Sequence, residues 1–217
     1  MKTTLFAGVL AALGSSTAVL AQTYLNQSGP FLLKLVSSNR TLDGQYLGAC
    51  HAGAAVETLC LIGNDSTAIN REAATFFWNY TLYDGRPSDT GLLIWNLELT
   101  MSMMNVSESM AISFAPNTNV ATLLFTPSPS TNTVGFNGSE LYVPAWADDS
   151  TFRDGEYPNG LGSYQLTNWH ACWLFAGTYY YNALAWVAGG VPHNPTCQPV
   201  GVVREDLVLE TSEPAAE

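Results

Sequence analysis

Hydrophobic and polar residues alternate along this chain in short runs, each closed by Gly, Pro, Asn or Asp. That is the periodicity of half-buried strands rather than of helices. Residues 169–197 show it most strongly. Two aromatic, β-favouring runs at 169–175 and 178–187 flank Ala176-Gly177, which predicts a hairpin in the protein core. Pro192 and Pro195 end the second run. Within it Tyr179 and Tyr181 share one face, while Tyr180, Leu184 and Trp186 share the other, which reads as core.

Phe31–Val36 predicts a strand with Phe31, Leu33 and Leu35 on one face, followed by a turn at Asp43-Gly44. The small residues of 46–60 let the backbone pack closely around Cys50 and Cys60. Residues 66–74 suit one or two helical turns. Residues 75–82 predict a strand in which Phe76, Trp78 and Tyr80 alternate with Phe77 and Asn79, with Asn79 facing water. After a turn at Asp84-Gly85, residues 91–104 predict one long strand or two short ones, and 110–114 and 120–125 two more. Asn137-Gly138, Asp154-Gly155 and Asn159-Gly160 mark further turns around a strand at 141–143 and a polar loop through Asp148-Asp149. This density of turns predicts an all-β fold: an antiparallel β-sandwich, jelly-roll-like, or a barrel, stapled by disulfides and carrying at most one short helix. No tandem repeat is evident, and composition does not divide the chain into two domains.

The first 21 residues say where such a domain would work. Lys2, the apolar segment 5–13 and Val19-Leu20-Ala21 form a secretion signal with a small-x-small cleavage site. Residues 14–17, Gly-Ser-Ser-Thr, interrupt the apolar run too early for it to span a bilayer. The expected organisation is a signal peptide at 1–21, a single β-sandwich domain at 22–203 and an acidic disordered tail at 204–217. The tail lacks the hydrophobic segment that a lipid-anchor signal requires, so no membrane anchor is expected.

Export makes the cysteines legible. Cys50, Cys60, Cys172 and Cys197 are an even number in an oxidising compartment. Three pairings are possible, and Cys50–Cys60 with Cys172–Cys197 is preferred because each is short-range. No Cys-x-x-Cys spacing supports zinc. Six Asn-x-Ser/Thr sequons, at Asn26, Asn39, Asn64, Asn79, Asn105 and Asn137, predict a eukaryotic glycoprotein in which those asparagines are exposed. Of the 7 basic side chains, Lys2 leaves with the signal, so 6 face 18 acidic ones and the net charge is −12. Such a surface repels phosphate backbones and anionic lipid heads, making nucleic acid and membranes poor partners.

Candidate chemistry is sparse. His51, His170 and His193 lack a ligand motif and read as ordinary hydrogen-bonded side chains, so no metal and no cofactor are expected. A mature N-terminus at Gln22 argues against copper oxygenases whose first residue is a ligating histidine. Asp148, Asp149, Asp154 and Glu156 could supply a glycosidase pair, but a solvated loop explains them more simply. No Gly-x-Ser-x-Gly occurs, and no catalytic residue is assigned. Sugars stack on exposed aromatic rings, which makes Tyr179 with Tyr181, or Trp95 with Trp146, the candidate glycan-stacking residues.

Several motifs together carry a resemblance: Phe31-Leu-Leu-Lys-Leu, Leu42-Asp-Gly-Gln-Tyr-Leu-Gly-Ala-Cys-His-Ala-Gly-Ala-Ala, Asn119-Val-Ala, the tyrosines after Cys172, Leu184-Ala-Trp-Val and His193-Asn-Pro-Thr-Cys197. Over nearly all the mature chain the sequence resembles a family of secreted proteins of filamentous ascomycete fungi with no assigned activity. More loosely it is similar to fungal cell-wall and IgE-binding-type antigens. The resemblance implies an extracellular or cell-wall location and supplies no catalytic residues. Residues 173–178 depart from the more polar stretch expected there, which argues against a surface role for them. The leading expectation is a non-enzymatic, N-glycosylated extracellular protein whose partners are cell-wall polysaccharide or a host protein. A glycan-binding module is the second reading, and a secreted hydrolase or host-directed effector the third.

Overall fold

The computed structural model describes residues 26–99, 104–128, 131–157 and 160–207; the predicted signal peptide, Asn159 and the chain beyond 207 lie outside them. The described residues form fifteen strands. In order they are β1 (Asn26–Gln27), β2 (Phe31–Val36), β3 (Tyr46–Gly53), β4 (Val56–Gly63), β5 (Phe77–Tyr83), β6 (Arg86–Leu99), β7 (Met104–Ser113) and β8 (Val120–Thr126). There follow β9 (Thr133–Asn137), β10 (Glu140–Ala147), β11 (Leu161–Leu166), β12 (Trp169–Ala176), β13 (Tyr179–Val187), β14 (Gln198–Pro199) and β15 (Gly201–Asp206). One α-turn, α1 (Arg71–Ala74), is capped by Asn70, whose side chain accepts from the Glu72 N–H.

Every strand pairing is antiparallel, and the pairings run β1-β5-β6-β9-β10-β15-β2-β3-β4-β8-β13-β12-β14. The 14-residue β6 joins two parts of this ribbon. It pairs with β5 along its first part, with β9 at Gly91 and Leu92, and with β7 from Ile94 to Leu99. Since β7 also pairs with β8, the sheet closes on itself as a barrel-like sandwich. The stretch 91–104 read from sequence is not a single strand: β6 ends at Leu99 and Met104 opens β7 opposite it.

Alternation along the strands builds one main core. Phe31, Leu33 and Leu35 pack with Leu47, Leu59, Phe76, Phe125, Trp169, Leu184 and Trp186. The rings interlock: Phe76 stacks on Phe125 at 5.7 Å, and Trp169 meets Trp186 edge-on at 4.8 Å. The Trp169 indole N–H donates to the Leu141 carbonyl, so this buried ring leaves no polar atom unpaired. Leu32, on the opposite face of β2, is also buried, against Tyr46, Ile69 and Ala74. The α1 segment therefore covers the outside of β2 and β3.

The predicted hairpin is present as β12 and β13, with Ala176 opposite Tyr179 and only Gly177 and Thr178 between them. Gly177 has φ +62°, a region that L side chains avoid, and a Cβ there would fall on the Ala52 carbonyl oxygen. The tip of β12–β13 is thereby seated on the end of β3. Cys172–Cys197 and Cys50–Cys60 are both bonded, with Cα separations of 4.1 and 5.9 Å. Closing a 25-residue loop stabilises by about 3 kcal/mol in the chain-entropy model. The double substitution Cys172→Ser/Cys197→Ser is expected to lower the stability by about that amount in thermal or denaturant unfolding.

Two expectations need correction. The final strand runs to Asp206, pairing with β2 from Gly201↔Val36 to Asp206↔Phe31, so a disordered tail cannot begin at 204. The backbone hydrogen bonds of those residues are satisfied by the sheet. Secondly, the face of β13 holding Leu184 and Trp186 is core only at that end: Tyr180 is 60% exposed. The hairpin outruns the sandwich, and a face that begins in the core ends in water.

Candidate functional site

The outer face of β10 and β11 carries a groove of about 570 Å³. Period-two geometry sends Leu141 inward and Tyr142, Pro144 and Trp146 outward along β10. Pro144 lies opposite Gln165 of β11, and the register shifts between Ala145 and Ala147. Such an irregularity re-aims a side chain, and Trp146, within it, stands 74% exposed. The facing wall comes from the β5–β6 hairpin: Tyr83, which is 62% exposed, and residues 86–90.

The floor is a chain of neutral hydrogen-bonding groups. Tyr142 lies across Gly135, where any side chain would collide with its ring, and its hydroxyl donates to the Asp89 carbonyl at 3.0 Å. Gln165 hydrogen-bonds Tyr142 in turn, and its Oε1 accepts from the Asn137 amide at 3.1 Å. Burial first and the negative charge of Asp89 second raise the Tyr142 pKa above the ordinary phenol value, so the group stays a neutral donor and acceptor. The groove thus offers two exposed rings at its rim, Ser88, Thr90, Ser163 and Gln165 as neutral polar contacts, and Arg86 and Asp89 as charged ones. This combination of flat apolar surface with hydrogen-bond donors and acceptors, and one charge of each sign in the wall, suits a small, hydroxyl-rich ligand.

Of the four aromatics expected to stack on sugars, Trp146 lies in this groove. Trp95 is corrected: it is 6% exposed in the main core, its indole N–H donating to the Glu72 carbonyl. Tyr179 is exposed, but its ring packs edge-on against His51. Tyr181 is half-buried and donates its hydroxyl to the His51 carbonyl. The exposed aromatic face at the hairpin tip is the opposite one, where Tyr180 contacts Trp173 and Phe175. The argument against a surface role for 173–178 is overturned at Trp173 and Phe175, both about half exposed.

The carboxylates Asp148, Asp149, Asp154 and Glu156 all lie exposed on the polar loop and none lines the groove. Asp148 caps a single 3₁₀ turn, and bonds from the Ser150 hydroxyl and backbone N–H hold its pKa below the usual value. His170 contacts the Asn168 carbonyl through Nδ1, and no group of three His, Cys, Asp or Glu among the described residues could hold a metal. None of the six sequon asparagines is buried: Asn64, Asn105 and Asn137 are exposed, and Asn26, Asn39 and Asn79 partly so.

Two carboxyl groups missed in the sequence lie inside the sandwich. Glu57 of β4 is 5% exposed and Glu108 of β7 fully buried. Glu57 Oε2 and both oxygens of Glu108 have no donor from any other residue. Burial first, then hydrogen bonding and repulsion from Glu57, raise Glu108 to about 8.

Together these features define a disulfide-stapled, all-β, barrel-like sandwich with an aromatic-rimmed groove on its outer face. A family described as a domain of unknown function, DUF7907, matches residues 28–206, and the chain belongs to it. No curated protein and no solved structure matches the chain.

Proposed function

We propose that this protein is an exported, N-glycosylated domain, working outside the cell or in the cell wall of a fungus, that binds carbohydrate through the groove at Trp146 and performs no chemistry on it. The observation that carries this reading is Trp146 itself: a large ring left mostly in water beside a concavity of polar groups. Isolated exposed hydrophobics are ordinary, but one paired with Tyr83 across a groove provides a surface on which the C–H face of a sugar can lie. The two disulfides suit an oxidising compartment. Export and a fungal source are further supported by the leader-like N-terminus and by the resemblance to secreted ascomycete proteins. The excess of acidic side chains favours a neutral polysaccharide over an anionic one.

Retention on insoluble chitin, β-glucan and mannan tests the proposal. Produced without N-glycans, the protein is expected to bind at least one of them, and Trp146→Ala to weaken that binding about 30-fold, the effect of removing an anchor worth about 2 kcal/mol. The circular dichroism spectrum should stay unchanged, since Trp146 supports no core contact. Failure to bind all three polymers would contradict the reading.

A further inference from the structure

We propose that the groove at Trp146 is filled in cis by the chain's own Asn137-linked glycan, so that occupancy of this one sequon controls access to the site. The inference rests on reading the groove as a saccharide site, and adds the identity of its resident ligand. Asn137 opens the sequon Asn137-Gly138-Ser139 and is exposed at the end of β9. It lies opposite Glu140 of β10, and Tyr142, Pro144 and Trp146 follow at alternate positions, so Asn137 and Trp146 share one sheet face. The Asn137 side chain is held toward the groove, because its Nδ2 donates to Oε1 of the wall residue Gln165.

That hydrogen bond is compatible with modification. In N-glycosylation an Nδ2–C1 bond forms as the sugar leaves a lipid pyrophosphate donor, which departs with the proton lost by nitrogen. The second N–H remains and can keep donating to Gln165. Asn137 stands opposite Glu140, six residues before Trp146 on β10 and about 20 Å from it at the rise of a strand, a span for the whole branched glycan rather than for its first two sugars. A tether of this length holds the ligand at an effective concentration in the millimolar range, enough for a weak site to be filled. Asn39 also borders a depression, but one with no aromatic ring in its wall, so the same argument does not reach it.

The test uses the full chain secreted from a eukaryotic host, with Ser139→Ala, which abolishes the sequon and keeps Asn137 and its hydrogen bond, and Asn137→Gln as a second variant. Acrylamide quenching of Trp146 is read as the difference from the same protein carrying Trp146→Phe. Occupied wild type is expected to be at least two-fold less quenched at Trp146 than either sequon variant, and to bind polysaccharide more weakly. Equal quenching in the three proteins, or mass spectrometry showing Asn137 unmodified in the wild type, would overturn the inference. Equal quenching with Trp146-dependent retention on polysaccharide would refute the cis glycan while leaving the proposed function standing. A quenching difference with no retention by any variant would support the cis contact and refute binding in trans.

Discussion

Replacing Glu108 by Gln is expected to stabilise the protein at neutral pH by roughly 3 kcal/mol and to flatten the pH dependence of its unfolding. In the folded chain Glu108 is lifted from 4.5 to about 8, and each unit corresponds to about 1.4 kcal/mol. The sign follows from proton binding. Between those two values the folded state holds a proton that the unfolded state has lost, so stability is full below about 4.5 and falls as pH rises to 8. The facing groups explain why nothing relieves this. Glu57 comes from β4, Trp95 lies across from Glu108 on β6, and Phe125 lies across from Glu57 on β8. His51 is opposite Glu57 on β3, but it is exposed with its ring against Tyr179. No cation contributes to holding Glu108 ionised. An amide at 108 would donate to Glu57 without needing a proton, removing the dependence while satisfying the carboxylate. Melting curves from pH 4 to 8 check this: the wild type should lose stability steadily across the range and Glu108→Gln should not. Parallel curves for the two proteins would refute the shared-proton account. A domain most stable in acid fits its excess of acidic side chains.

Gly177→Ala is expected to destabilise by about 3 kcal/mol, a loss large for a single methyl group. Two terms add: a left-handed backbone conformation that disfavours a side chain by about 1 kcal/mol, and overpacking against the Ala52 carbonyl at about 2 kcal/mol. Relief of that clash requires the β12–β13 tip to lift from β3, which also strains the bond from the Tyr181 hydroxyl to the His51 carbonyl. Denaturant unfolding measures the loss. Gly138→Ala is the control, with φ +59° but open space around its Cβ position, and should show only the backbone share.

How much of this was legible depended on whether the signal was local. The β12–β13 hairpin could be read because its turn glycine, its alternation and its closing cysteine lie within one stretch of chain. The same alternation could not say how far the strand extends beyond the core, which is why Tyr180 was placed inside with Leu184. Trp95 and Trp146 differ in their neighbours: Leu92-Leu93-Ile94 precede the first, and Asp148-Asp149 closely follow the second, so flanking polarity held the distinction. The Glu57–Glu108 pair also had a signal. Glu57 has the parity of Leu59, and Glu108 that of Met110, both core residues. Carboxylates on a core face are commonly dismissed as strand ends, and only the pairing of β4 and β7 with β8 brings these two together. The groove is the least local feature, since the β5–β6 turn meets β10 and β11 only through the pairing of β6 with β9 and of β9 with β10.

The most direct test of the central claim is saturation-transfer NMR on soluble chitin, β-glucan and mannan oligosaccharides, with the protein produced without the Asn137 sequon. Transfer from the protein to the ring C–H protons of one of these sugars, abolished by Trp146→Ala, is the predicted result. Transfer that survives that substitution, or none from any of the sugars, would contradict it.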